Sequence, residues 1–106
     1  MSGKFNTRIL NTFGNLMIHY KTNEEVEMMR ISALLVSKSL TEIAKILKPG
    51  ISTISIDNFI AEYIHDHKAT PSFLNFHGYP FSSCISVNDV VVHGFPGKYE
   101  LKDGDI

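Results

Sequence analysis

One cysteine, Cys84, stands in 106 residues, so no disulfide can close within the chain. A lone thiol suits a reducing compartment. Charge of one sign is also missing. Ten Lys and Arg against eleven Asp and Glu leave a net charge of −1, which gives no electrostatic footprint for DNA or RNA. No basic cluster marks a membrane surface, and no apolar run approaches the roughly 20 residues that a bilayer span requires. Internal repeats and low-complexity tracts are absent. The remainder, 43% hydrophobic and 20% charged, is an ordinary globular composition, and a chain of this length forms at most one domain.

Acidic residues are missing from the first sixteen positions, which carry Lys4 and Arg8 and place Phe5, Ile9, Phe13 and Met17 four apart. Residues 1–16 read as an N-terminal extension or as an organellar presequence, and residues 17–106 as the folded part.

Two helices come first. Thr22 followed by Glu25 is a capping box, with Glu24, Glu25 and Glu27 in the first turn, where the helix dipole favours them. Val26, Met29, Ala33, Val36, Leu40, Ile43 and Leu47 then recur at spacings of three and four, and Lys48, Pro49 and Gly50 end the helix. Ile31, Leu34, Leu35 and Ile46 widen this stripe beyond a coiled-coil seam, which suits a helix laid on a sheet. Ser52 and Thr53 are candidate N-caps of a second helix, whose apolar face is Ile56, Phe59, Ile60, Tyr63 and Ile64. His65 and His67 point about 200° apart on that helix, so they cannot share a metal and read as solvated.

After Pro71 the period changes to two. Residues 72–76, 82–87 and 90–93 are strand candidates, with a turn at His77–Pro80 and a two-residue loop at Asn88-Asp89. The order is α+β: two helices, then strands forming an antiparallel sheet. A two-residue loop sets Ser86 opposite Val91 and Cys84 opposite His93, with Cβ atoms about 4.5–5.5 Å apart. Val87, Val90, Ile85 and Val92 then share an apolar face. Ser82, Cys84, Ser86, Val91, His93 and Phe95 share the other, which has the chemistry of a cleft wall. A cysteine beside a histidine can be an activated nucleophile, but neither a third group to orient the imidazole nor an oxyanion donor is evident nearby. As a small apolar wall residue Cys84 needs neither.

The stretch HGYPFSSCISVNDVVVHGFP, with LKDGDI after it, resembles the type I, bacterial-type methionine aminopeptidases, which are pita-bread metallopeptidases. The family's KT-EE-E-MR matches Lys21 to Arg30, its KPG-ST matches Lys48 to Thr53, and its HGYP matches His77 to Pro80. Its C-S-N-VV-HG-P matches Cys84, Ser86, Asn88, Val91, Val92, His93, Gly94 and Pro96. The resemblance runs from about Ile18 to Ile106. It implies the first part of the N-terminal half of a pita-bread fold, and an enzyme that removes N-terminal methionine from nascent polypeptides through a metal-activated water.

On that resemblance His93 is the catalytic, substrate-contacting histidine. Tyr79, Cys84, Phe76, Phe73 and His77 belong to the substrate pocket, and Phe73 departs from the small residue common at its position. Two divalent ions (Co, Mn, Fe or Zn) are implied as cofactors. Their ligands, two Asp, one His and two Glu, fall beyond Ile106. None of His19, His65, His67, His77, Asp103 and Asp105 matches a ligand position, so no metal site is expected in this chain and it should be inactive alone. The resemblance further implies a cytoplasmic enzyme (organellar if residues 1–16 are a presequence), monomeric at full length, with the ribosome as a further partner and no DNA or membrane partner. The alternative is a non-catalytic homologue acting as a peptide- or ribosome-binding module. Prolyl-directed aminopeptidases of the same fold match the 77–97 stretch more weakly.

Overall fold

A computed structural model describes residues 18–106, so the expected extension at 1–16 lies outside the described residues. The described chain divides between Ser32 and Ala33 into two units. Helix α1 spans Asn23–Ile46 and α2 spans Thr53–Asp66.

In the first unit the capping box forms as expected. The Thr22 amide donates to Glu25 Oε2 at 2.8 Å and the Glu25 amide donates to Thr22 Oγ1 at 3.2 Å. One turn on, the Arg30 guanidinium donates to both carboxylate oxygens of Glu27, and this bond holds the Glu27 carboxyl below its ordinary range. Both side chains are solvent-exposed, so the pair adds little to stability.

In the second unit, α1 buries only Ser39 and Ile43, and the Ser39 hydroxyl donates back to the Leu35 carbonyl at 2.8 Å. Val36 and Leu40 on the expected core stripe stay exposed. The apolar face of α2 fares better. Ile56 is buried and Phe59, Ile60, Tyr63 and Ile64 are half-buried, while His65 and His67 lie in solvent. Ser52 is the N-cap, its hydroxyl accepting from the Ser55 amide at 3.3 Å. Thr53, the other candidate, is instead the first helical residue.

The expected antiparallel sheet is not found among the described residues, which contain one isolated antiparallel bridge, Ser52 with Glu100, and no strand. The reason lies in where the backbone donors go. Gly50 donates to Leu101 at 2.7 Å, Leu101 to Ile51 at 2.8 Å, Thr53 to Tyr99 at 3.0 Å and Ile54 to Gly97 at 2.9 Å. The 97–101 segment is thus tied to the turn ahead of α2 and to its first residues.

Residues 72–76 are not a strand either. Asn75 and His77 take left-handed φ of 64° and 49°, and a short 3-10 turn covers Phe76–Gly78, closed by Asn75 donating to Tyr79 at 2.8 Å.

The Asn88-Asp89 loop does form, with Val90 donating to Val87 at 3.1 Å. Beyond it the expected register fails. Ile85 donates to Gly94 at 2.9 Å, where the two-residue-loop register sets it against Val92. Ser86 is therefore not paired with Val91, nor Cys84 directly opposed to His93. Two extra residues bulge from the second limb, leaving Val91 89% exposed and His93 at a left-handed φ of 54°. Gly94 permits this register, because a Cβ there would overlap the Ile85 carbonyl. Asn88 is engaged elsewhere. Its amide donates to Ile106 at 2.7 Å, its Oδ1 accepts from the Ile106 amide at 3.0 Å, and its Nδ2 donates to Asp105 at 2.9 Å.

Candidate functional site

Helix α2 anchors the chain that carries the site. Asp57 follows Ile56 on its buried face, and its carboxylate accepts from the Ser83 amide at 2.7 Å, the Ser83 hydroxyl at 2.6 Å and the Ser82 amide at 3.4 Å. The Tyr79 hydroxyl donates to the Ser83 carbonyl at 2.8 Å and lies 3.4 Å from that of Gly94. The Gly94 amide in turn donates to Ser86 Oγ at 3.1 Å. Three separated pieces of chain, 79, 82–86 and 94, are therefore joined around one phenol.

Above this network is a hollow of about 370 Å³. Phe73, Phe76, His77, Tyr79, Cys84 and His93 all line it, together with Gly78 and Phe95. These first six are the residues the sequence nominates, drawn from two turns and a bulge instead of a sheet. Cys84 and His93 thus share a hollow without being directly opposed. Aromatic rings pack its wall edge-on: Tyr79 meets Phe73 at 5.9 Å and Phe95 at 5.1 Å between centroids, and Phe81 meets Phe95 at 5.5 Å. Such edge-to-face pairs favour one arrangement of the rings. The His93 ring lies 6.5 Å from Phe73 and is exposed at the rim. Cys84 is a free, half-buried thiol.

The Tyr79 phenol is pushed up to about 12, first by burial, then by the Cys84 thiol beside it and by the charges of Cys84 and Asp57. It is therefore neutral at physiological pH and remains a donor. The hollow joins apolar, polarizable ring and thiol surface to two exposed imidazoles, His77 and His93. That arrangement suits an uncharged side chain inside and a peptide group at the rim.

The sequence reading did not find Asp57. Its signal was available: an acidic residue inside the apolar face of α2, between Ile56 and Ile60. Phe95 was placed on the cleft side of the hairpin but not among the pocket residues.

A second hollow of about 560 Å³ lies against Ile43, Ile56, Ile60 and Ile85, with residues 101–106 along one side. Its polar lining comes from Lys48, the Lys102–Asp105 turn and the 83–86 segment, through Ser83, Cys84 and Ser86. Among the described residues no group of three or more His, Cys, Asp or Glu side chains could hold a metal ion, and no helix is long and apolar enough to cross a membrane.

Residues 27–106 match the metallopeptidase family M24. A methionine aminopeptidase of Clostridium perfringens is 47% identical over 90 residues, which cover 85% of this chain and 36% of that protein. One from Escherichia coli K12 is 43% identical over 93 residues, covering 86% of this chain and 35% of that protein. Among solved structures, a methionine aminopeptidase from Rickettsia prowazekii superposes with a TM-score of 0.81 at 37% identity, covering 84% of this chain and 36% of the other. One from Thermotoga maritima gives 0.80 at 34% identity. This chain therefore spans little more than a third of the length of the relatives it matches.

Proposed function

The chain belongs to metallopeptidase family M24, and we propose that it is the pocket-bearing portion of an aminopeptidase that removes N-terminal methionine from polypeptides. One observation carries this reading: Phe73, Phe76, His77, Tyr79, Cys84 and His93, separated by up to twenty residues of sequence, line a single hollow. The methionine side chain would enter it. A thioether packs well against ring edges and a thiol, through soft and polarizable contacts.

His93 stands at the rim with two ring nitrogens, one able to donate and the other to accept. We assign it the contact to the peptide group next to the scissile bond. Its left-handed backbone is uncommon for a residue with a Cβ, and such conformations concentrate where a site needs a side chain aimed. Tyr79, neutral and anchored, gives the wall its fixed face.

The family implies divalent metal, and two ions (Co, Mn, Fe or Zn) would supply an activated water and polarise the scissile carbonyl. The described residues do not assemble a ligand set for them. On the family resemblance we assign the ligands to the part of the relatives' length that this chain does not span, and we propose an antiparallel sheet against α1 and α2 in the complete protein. The free thiol fits a reducing, cytoplasmic setting.

The test is to express the complete coding sequence, load it with Co²⁺ or Mn²⁺, and follow methionine release from a Met-Ala-Ser peptide. Turnover by that protein, with none from residues 1–106 alone, is the expected result. A fully metal-loaded protein that binds the peptide without cleaving it would overturn the enzyme reading and leave a peptide-binding homologue.

A further inference from the structure

Asp57 is 4% exposed, and among the described residues no Lys or Arg pairs with it. A buried carboxylate without a cation is tolerated when its oxygens are met by donors. Here every donor comes from one place, the amides of Ser82 and Ser83 and the Ser83 hydroxyl. The Ser83 amide and hydroxyl both reach Oδ1, at 2.7 and 2.6 Å, the short range expected of bonds to an ionised acceptor.

Ser83 is also the point on which the hollow turns. Its carbonyl takes the Tyr79 hydroxyl at 2.8 Å, and its chain neighbour is Cys84. Two of the lining side chains, Tyr79 and Cys84, are thus located through one serine, and that serine is fixed to a helix by one carboxylate. We propose that Asp57 is a positioning residue of the methionine pocket, clamping Ser83 to α2 so that Tyr79 and Cys84 form its wall. This inference rests on the pocket reading given above and adds a residue that touches no substrate.

Helices hold a side chain more exactly than loops do, and the 72–96 stretch is turn and bulge throughout, with left-handed residues at 75, 77, 88 and 93. Without the clamp, nothing regular holds Ser83 in place. A carboxylate needed only for stability would behave differently on removal. The folded fraction would fall, and whatever remained folded would bind and react as before.

The test uses Asp57→Asn and Ser83→Ala in the full-length, metal-loaded protein, with two readouts. The first is alkylation of Cys84 by iodoacetamide under native conditions, followed by mass spectrometry on the peptide that carries it. The second is the split between KM and kcat on a Met-Ala-Ser peptide. For Asp57→Asn, losing bonds to a charged acceptor should raise the alkylation rate and KM each by about tenfold, with kcat within about twofold of wild type. Ser83→Ala, which keeps both amide donors, should give smaller changes in the same direction, about threefold, and serves if Asp57→Asn does not fold.

Alkylation and KM unchanged in folded Asp57→Asn would overturn the proposal, as would unchanged values in Ser83→Ala where Asp57→Asn fails to fold. A wild-type protein that releases no methionine, yet whose Cys84 becomes reactive on Asp57→Asn, would remove the peptidase reading and keep the clamp.

Discussion

Thr53 and Gly97 hold each other twice. The Gly97 amide donates to Thr53 Oγ1 at 2.8 Å, and the Thr53 hydroxyl lies 3.1 Å from the Gly97 carbonyl. Thr53 is buried at the first residue of α2, so this clasp ties the 97–101 segment to the helix that also carries Asp57. Thr53→Val keeps the shape and leaves the Gly97 amide without its acceptor. The expected cost is about 1–3 kcal/mol, the desolvation penalty of an orphaned donor, read as a shift of the urea midpoint with an unchanged slope. Thr53→Ser should retain most of the stability. A Thr53→Val midpoint equal to wild type would show that water replaces the hydroxyl.

Gly94 is required by space and not by its backbone angle. A Cβ would overlap the Ile85 carbonyl oxygen and crowd the Ser86 Cα, and both are backbone atoms that cannot swing aside. Gly94→Ala should therefore destabilise by about 1–3 kcal/mol, as other forced overpacking does. It should also weaken the bond from Ile85 to Gly94, visible as faster amide exchange at Ile85. Unaltered exchange at Ile85 would count against the bulged register.

The Tyr79 phenol links the site to alkaline pH. Its value is 10.0 in an ordinary setting and about 12 in the folded chain, with burial the first cause. Folding thus favours the neutral phenol. That contribution is complete below pH 10 and is lost as pH rises from 10 through about 12, because the unfolded chain ionises first. Wild type should lose stability over this interval more steeply than Tyr79→Phe, measured by denaturation at matched pH values. Parallel curves would place the phenol in water.

What could be read from the sequence was local. The Thr22–Glu25 box and the Ser52 cap involve residues three apart, and the buried face of α2 repeats every turn, so each announces itself in a short window. The pocket residues were nominated by motif, but their assembly was not legible from strand alternation. Period-two arithmetic assumes an unbroken ladder, whereas His93 in a left-handed conformation and Gly94 against Ile85 insert two residues into one limb. Asp57 and Ser83 are 26 residues apart, and a side-chain contact across that gap has no period to reveal it. The long apolar stripe of α1 was read correctly as helix. The sheet expected against it has no counterpart among the described residues, where Val36 and Leu40 are exposed.

His93 offers the sharpest separation of function from fold. Its left-handed φ of 54° disfavours any side chain with a Cβ, and glycine adopts it without that penalty. His93→Gly should therefore leave stability within about 1 kcal/mol of wild type, relief of strain offsetting the added freedom of the unfolded chain. Activity should behave otherwise in the full-length, metal-loaded protein. If the ring contacts the reacting peptide group, kcat should fall by roughly 10²–10³, the effect of losing one donor aimed at developing charge. Metal content should be unchanged, because no ligand is removed. His93→Ala should lose activity equally but be less stable than His93→Gly, since alanine keeps the Cβ in a left-handed position. Near wild-type kcat in a folded, fully metallated His93→Gly protein would remove the imidazole from the reaction and leave His93 as a residue of the bulge alone.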